Sequence, residues 1–329
     1  RGALAILVVH APESEAAPFS KTMRWARRTF SRSSSSLGGG KPTFPMLYLE
    51  DSARDFLLRT GALTDLPETG PARGLTARFR FAATREIETA RNVVAIFPGS
   101  DPERAGEVIV YSAHYDHIGV NDQGEVFNGA DDNGSGTCAL LEVAEAFAEG
   151  ARPPRSVAFL WVSGEEKGLL GSRWFVEHSP LGEKYEIVAD INLDMVGRNE
   201  AAKVSATPSP KHKDYSTLNV SLGRAAEAEG YELLYNADQY YGRTDSYNFA
   251  KQRIPSMFLF TGEHKDYHRP SDTFEKIDLE KAAAIARIAY RTGWRAASSE
   301  SRPEYIEAAE EMPQVAGEEA GEQRTRVFF

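Results

Sequence analysis

Residues 108–117 read VIVYSAHYDH. A stretch suited to a buried strand runs straight into His114, Asp116 and His117. The figure recurs along the chain. The run VAFLWV (157–162) ends in SGEE (163–166), and the run IVADINL (187–193) ends in Asp194. The run PSMFLF (255–260) leads to Glu263, His264, Asp266, Tyr267 and His268, and a further apolar run occupies 92–97. Short apolar runs of this kind suit strands buried on both faces, as in a parallel sheet.

Helical spacing fills the gaps. Over 137–148 it places Leu140, Val143, Ala144 and Phe147 on one face, and Leu218, Leu222, Ala225 and Ala226 repeat the pattern. Asp278 is placed to cap a final helix running to about Ala297. Strands alternating with helices predict an α/β domain over 86–298, with a mixed, mostly parallel central sheet flanked by helices. Ligands of such sheets bind beyond the carboxyl ends of the strands. That is where this chain concentrates its carboxylates and histidines.

The flanks read differently. Residues 1–85 carry two apolar runs, 3–9 and 44–49, that could pair as strands, separated by the Ser/Gly-rich stretch SRSSSSLGGG (31–40). Ser and Gly build no core, so a mobile loop inside a small β-rich accessory domain is expected there. The segment 299–329 is rich in Glu and poor in large apolar residues, which predicts an acidic, disordered, solvated tail.

Composition narrows the function classes. Across 329 residues, 38 Lys and Arg stand against 48 Asp and Glu, a net charge of −10 at pH 7. That balance argues against binding nucleic acid or anionic membrane. The single cysteine, Cys138, excludes an internal disulfide, an iron–sulfur cluster and a thiolate zinc site, and it reads as a small core residue on the 137–148 helix. No apolar run approaches the ~20 residues of a membrane span. With Arg1 first and no leader segment, the chain reads as a processed or truncated product.

Each polar feature alone has a plain structural reading. A histidine at a strand end is usually packed or solvated, Glu165-Glu166 could be a solvated loop, and GADDNGSG (129–136) could be a helix cap. Together they bring several loops with ligand chemistry to one sheet edge. Carboxylates that close repel unless cations neutralise them.

The set HYDHIG (114–119), GADDNGSG (129–136), SGEEKGLLGS (163–172), NLDMVG (192–197) and YHRPSDT (267–273) resembles the co-catalytic di-zinc aminopeptidases. Relatives of that family include bacterial secreted aminopeptidases, glutamate carboxypeptidase II, transferrin receptor and the glutaminyl cyclases. The motifs follow the family's order over about half the chain. They imply the zinc-peptidase, phosphorylase/hydrolase-like fold. The region before 85 resembles, less specifically, the end of a protease-associated domain whose front half is missing.

Carried over position by position, the resemblance implies that His114, Asp132 and Asp194 hold one zinc. Asp132, Glu166 and His268 hold the other, with Asp132 bridging. The ligand types leave manganese and cobalt open. Two such ions lie ~3.5–4 Å apart and activate a shared water. Glu165 is implied as general base and then acid, and Asp116 as acceptor of the second ring N–H of His114. Tyr267 is a candidate for oxyanion contact and Asp245 for site support, a structural role being equally open for each. Asp131 can also reach a metal, and only the resemblance favours Asp132. His117 and His264 match no ligand position and read as loop structure or pocket wall.

A complete ligand set with Glu165 favours an active peptidase over a silent receptor-like scaffold, and two metals argue against the single-zinc cyclases. Peptides are the expected substrates. Clustered carboxylates suit a free α-amine, which points to an aminopeptidase; a carboxypeptidase would need an arginine anchor, for which Arg198 and Arg243 are the candidates. The family analogy implies a secreted, periplasmic or surface-associated protein. The substrate pocket is expected from loops 199–210 and 236–243.

Overall fold

The strand ending in His114 lies inside a seven-stranded sheet, flanked on both sides by parallel neighbours. The computed structural model describes residues 6–9, 46–49, 89–121 and 123–306. The chain divides into two units, Arg1–Glu86 and Ile87–Phe329. In the first, β1 (Ile6–Val9) and β2 (Met46–Leu49) pair in parallel, Ile6 opposite Met46 and Val9 opposite Leu49. The two apolar runs expected to pair do so. The Ser/Gly stretch 31–40 lies outside the described residues.

The second unit contains β3 (Val93–Phe97), β4 (Glu107–His114), the short ribbon β5 (Gly119–Val120) and β6 (Val126–Phe127), and β7 (Ser156–Val162). β8 (Glu186–Leu193), β9 (Lys203–Thr207), β10 (Glu232–Leu234) and β11 (Ser256–Phe260) follow. The main sheet runs β10-β9-β11-β8-β4-β7-β3. Its interior, β11-β8-β4-β7, is parallel throughout, while β9 and β3 join antiparallel on either side. The mixed, mostly parallel sheet is therefore present. Parallel neighbours share a direction, so the carboxyl ends of four strands open along one edge.

Alternation along β4 builds two cores. Ile109, Tyr111 and Ala113 face one way, onto a cluster with Leu140, Val143, Leu222, Ile285 and Ile288. These come from α1 (Gly136–Glu149), α3 (Thr217–Ala228) and α5 (Leu279–Ser298). Val108 and Val110 face the other way, onto Phe175 of α2 (Leu170–His178) and Phe249 of α4 (Ser246–Lys251). The Tyr111 hydroxyl donates to the Ala289 carbonyl at 3.0 Å, in space left by the missing side chain of Gly293. Asp278 caps α5 as expected, its Oδ1 accepting from Lys281 N at 3.0 Å.

Three expectations need correction. Cys138 is exposed. At 100° per residue it falls with Leu141, Glu142 and Glu145 on the outer face of α1, while Ala139, Leu140, Val143 and Phe147 turn inward. The segment 199–210 is not all loop, since it contains β9. The tail does not leave the domain at 299. Tyr305 bridges Ser216, its hydroxyl donates to the Ile254 carbonyl at 2.9 Å, and Arg302 pairs with Glu186 at 2.8 Å and Glu107 at 3.2 Å. Composition averaged over a Glu-rich stretch concealed those anchors. Residues 307–329 lie outside the described residues.

Candidate metal centre

His114 closes β4 with its side chain only 1% exposed. Its Nε2 lies 3.4 Å from Asp132 Oδ1 and 3.4 Å from Asp194 Oδ2, so three donors meet at one point. Asp194 follows β8, and its N–H donates to the Leu259 carbonyl at 3.2 Å, which ties it to β11.

Asp132 sits on the turn that opens α1, and a net of hydrogen bonds holds that turn. The N–H groups of Asp131 and Asp132 donate to Asp272 Oδ2 at 2.9 and 3.2 Å. Asn133 donates to the Leu193 carbonyl at 3.0 Å and accepts from Met195 N and Gly136 N. Asp131 points elsewhere: its Oδ1 accepts from Gly197 N at 2.8 Å and its Oδ2 lies 3.2 Å from His264 Nε2. The structure thus places Asp132, not Asp131, beside His114. His264 belongs to the scaffold under Asp131.

The two oxygens of Asp132 face two ways. While Oδ1 faces His114, Oδ2 lies 3.0 Å from His268 Nε2, which is 3.2 Å from Glu166 Oε1. His117 joins this second group, its Nδ1 3.1 Å from Glu166 Oε1 and 3.9 Å from Asp132 Oδ2. Sequence reading assigned His117 to loop or pocket wall. The available signal was its place on the loop that carries His114 and Asp116.

Several of these atoms are buried with no hydrogen-bond partner among the described residues: His114 Nε2, both ring nitrogens of His117, Asp132 Oδ2, Glu166 Oε1 and Asp194 Oδ1. Leaving such groups unpaired costs roughly 1–3 kcal/mol each. Cations among them would satisfy the carboxylate oxygens and one nitrogen of each ring, and imidazole with carboxylate suits zinc.

Asp116 behaves differently from expectation. His114 Nδ1 lies 3.1 Å from the Asp116 peptide oxygen, whereas the Asp116 carboxylate is 3.7 Å away. That carboxylate accepts instead from the N–H groups of Glu165 and Glu166, at 3.1 and 3.4 Å. The expected orienting contact is made by the backbone, and the side chain braces the neighbouring loop.

Electrostatics follow from this crowding. Burial pushes the Glu165 carboxyl well above the usual glutamate range, and Asp245, Asp194 and Glu166 add to it against His114. Burial lowers His268, but the Asp132 and Glu166 carboxylates beside its Nε2 outweigh it and raise the ring to about 9. Burial raises Glu166, yet His117 and His268 bring it down to about 2. His114 is likewise held well above an ordinary histidine, burial being overcome by Asp194 and Asp132. Asp245, buried and accepting from the Ser172 hydroxyl at 2.5 Å, is raised to about 6, chiefly by burial. It stands at the start of α4, near enough to His114 and Asp194 for their charges to act on it.

A cleft of about 390 Å³, its open mouth included, adjoins the cluster. Asp132, Glu165, Asp194 and His268 form one wall, and Met195, Tyr240, Phe258, Phe260 and Tyr267 supply an apolar one. The Tyr267 ring stacks on His268, centroids 3.8 Å apart. Arg243 stands at the cleft over the Tyr240 ring. Arg198 is committed elsewhere, with Asp266 at 2.9 Å and Asp272 at 3.6 Å, and only 13% exposed.

The model of peptidase family M28 matches residues 92–292. A probable leucine aminopeptidase of Trichophyton verrucosum is 32% identical over 209 residues, covering 60% of this chain and 55% of the relative. Aminopeptidase YwaD of Bacillus subtilis is 26% identical, covering 67% of this chain and 47% of its own. Among solved structures, the zinc aminopeptidase BSAP from Bacillus subtilis superposes with a TM-score of 0.53 at 27% identity, over 64% of this chain and 50% of that one. The LapA aminopeptidase of Legionella pneumophila gives 0.54 at 25%, over 63% and 56%. The chain spans about half the length of the curated relatives it matches.

Proposed function

The chain belongs to peptidase family M28, and from that premise we propose that it is a zinc-dependent aminopeptidase, removing single residues from the N-termini of peptides with two zinc ions per chain. The observation that carries this reading is the pair of donor groups sharing Asp132, with Glu165 and an apolar wall on the same cleft. His114, Asp132 and Asp194 would hold one ion; Asp132, Glu166 and His268 would hold the other. When bound, zinc supplies Lewis acidity to a water and to the scissile carbonyl.

The chain's own groups do the rest. Glu165 takes the proton of the attacking water on its carboxylate and delivers it to the leaving amine. Cations beside it would offset the burial that raises its pKa in their absence. The brace from Asp116 to Glu165 N keeps that carboxylate at the cleft. With Asp132 and Asp194 taken by the ions, Glu165 and Glu263 remain at the cleft beside one arginine, Arg243, and offer carboxylates to a substrate ammonium. The apolar wall suits a large hydrophobic first side chain.

With Arg198 held by two aspartates, the carboxypeptidase alternative loses one of its two anchors. The complete donor set with Glu165 gives no support to a silent scaffold. The proposal extends to the first unit, read as a protease-associated-like accessory region, and to a secreted, periplasmic or surface-associated location.

Three leucyl substrates test the activity: a free peptide, its N-acetylated form and its C-terminal amide. Cleavage of the peptide and the amide, lost on acetylation and on chelation and restored by zinc, is expected. Cleavage of the acetylated peptide but not the amide would overturn it and make Arg243 the anchor.

A further inference from the structure

His117 is three residues beyond His114, yet it addresses the other donor group. Its Nδ1 approaches the same two oxygens as His268 Nε2: Glu166 Oε1, at 3.1 Å against 3.2 Å, and Asp132 Oδ2, at 3.9 Å against 3.0 Å. The two rings are 5.8 Å apart and steeply inclined, at 75°. They converge on one space from different directions.

Two observations separate His117 from a loop histidine that happens to be near. Its side chain is only 11% exposed, and neither ring nitrogen has a hydrogen-bond partner among the described residues, so the 3.1 Å approach to Glu166 is not an aligned hydrogen bond. The ring also has a prepared seat. Gly129, at φ +63°, lies against it, and a Cβ there would come within 2.6 Å of the ring's Cγ and 2.9 Å of its Cδ2. Only glycine suits both that backbone and that contact. Gly129 opens the turn carrying Asp132, so the loop that supplies the shared carboxylate is shaped around the His117 ring.

We infer that His117 Nδ1 is a fourth protein ligand of the ion held by Asp132, Glu166 and His268. The inference rests on the two-zinc reading. It makes the two positions unequal. The ion at His114, Asp132 and Asp194 has three protein donors and keeps a vacant position, as catalytic zinc does. The other has four, the number that closes structural zinc sites. Two zinc ions should therefore bind with separate affinities, the tighter at the His117 side.

The test uses the full chain loaded with cobalt(II), whose unpaired spin shifts the ring N–H protons of directly ligated histidines, together with zinc titration against a chromophoric chelator. Three shifted histidine N–H signals are expected in the wild type and two in His117→Ala. The variant should lose about tenfold or more in affinity for one zinc and keep the other. Two signals in the wild type would overturn the assignment, and this count stands even where the variant fails to fold. Unchanged signals and affinities in a folded variant would also overturn it, leaving the two-zinc reading intact. A wild-type chain that takes up no metal would overturn both.

Discussion

The carboxylate of Asp116 accepts a hydrogen bond from the backbone N–H of Glu165 at 3.1 Å. One residue thus joins the loop after β4 to the loop after β7, while its own carbonyl serves His114. Asp116→Ala keeps the carbonyl and removes the brace. The expected result is a fall in kcat of roughly ten- to a hundredfold with zinc content unchanged. Loss of zinc from the variant would instead return the carboxylate to His114.

Glu165→Gln should lower turnover by about 10²–10⁴-fold, because the amide cannot accept the proton. Both ions should remain. Metal analysis beside the rate decides the role, since a variant depleted of zinc would make Glu165 a ligand.

Metal-free protein should lose stability as pH rises. His268 is raised to about 9 from the ordinary 6.5, so its contribution is full below about 6.5 and disappears as pH climbs through about 9. Glu166, lowered to about 2, acts in the opposite sense: its contribution is present above about 4.5 and is lost as pH falls toward 2. Zinc needs a neutral imidazole, so binding at neutral pH should release protons. Calorimetry in buffers of different ionisation enthalpy reads that release, and an equal heat in all of them would contradict the charged His268.

Tyr305→Ala should cost about 1–2 kcal/mol of stability while leaving kcat alone, since it removes the bond to Ile254 and the packing far from the cleft. Thermal melts of both proteins measure it. An unchanged Tm would mean that the Tyr305 contacts add nothing.

What was legible in the sequence follows from burial. β4 and β7 are buried along almost their whole length and read as unbroken apolar runs. β9 escaped because its buried residues include Ser205 and Thr207, whose hydroxyl is satisfied by Asp238 at 2.6 Å, a partner 31 positions away. The site was legible as residue types at strand ends. Which atom faces which was not. The exchange of roles between the carbonyl and carboxylate of Asp116, the capture of Arg198 by Asp266 and Asp272, and the turn of His117 toward Glu166 all depend on loop paths that no residue pattern encodes.

The position of β11 has a consequence for biosynthesis. It is the last strand of the sheet to be made, yet it lies between β8 and β9. Until it emerges from the ribosome, β8 presents an open edge and β9-β10 has no place on the sheet. His268 follows it by eight positions. A nascent chain that stops short of β11 therefore lacks the strand that ties Asp194, the histidine that completes the centre and the Asp272 that holds the Asp132 turn. The open β8 edge is where such an incomplete chain is exposed to wrong pairing.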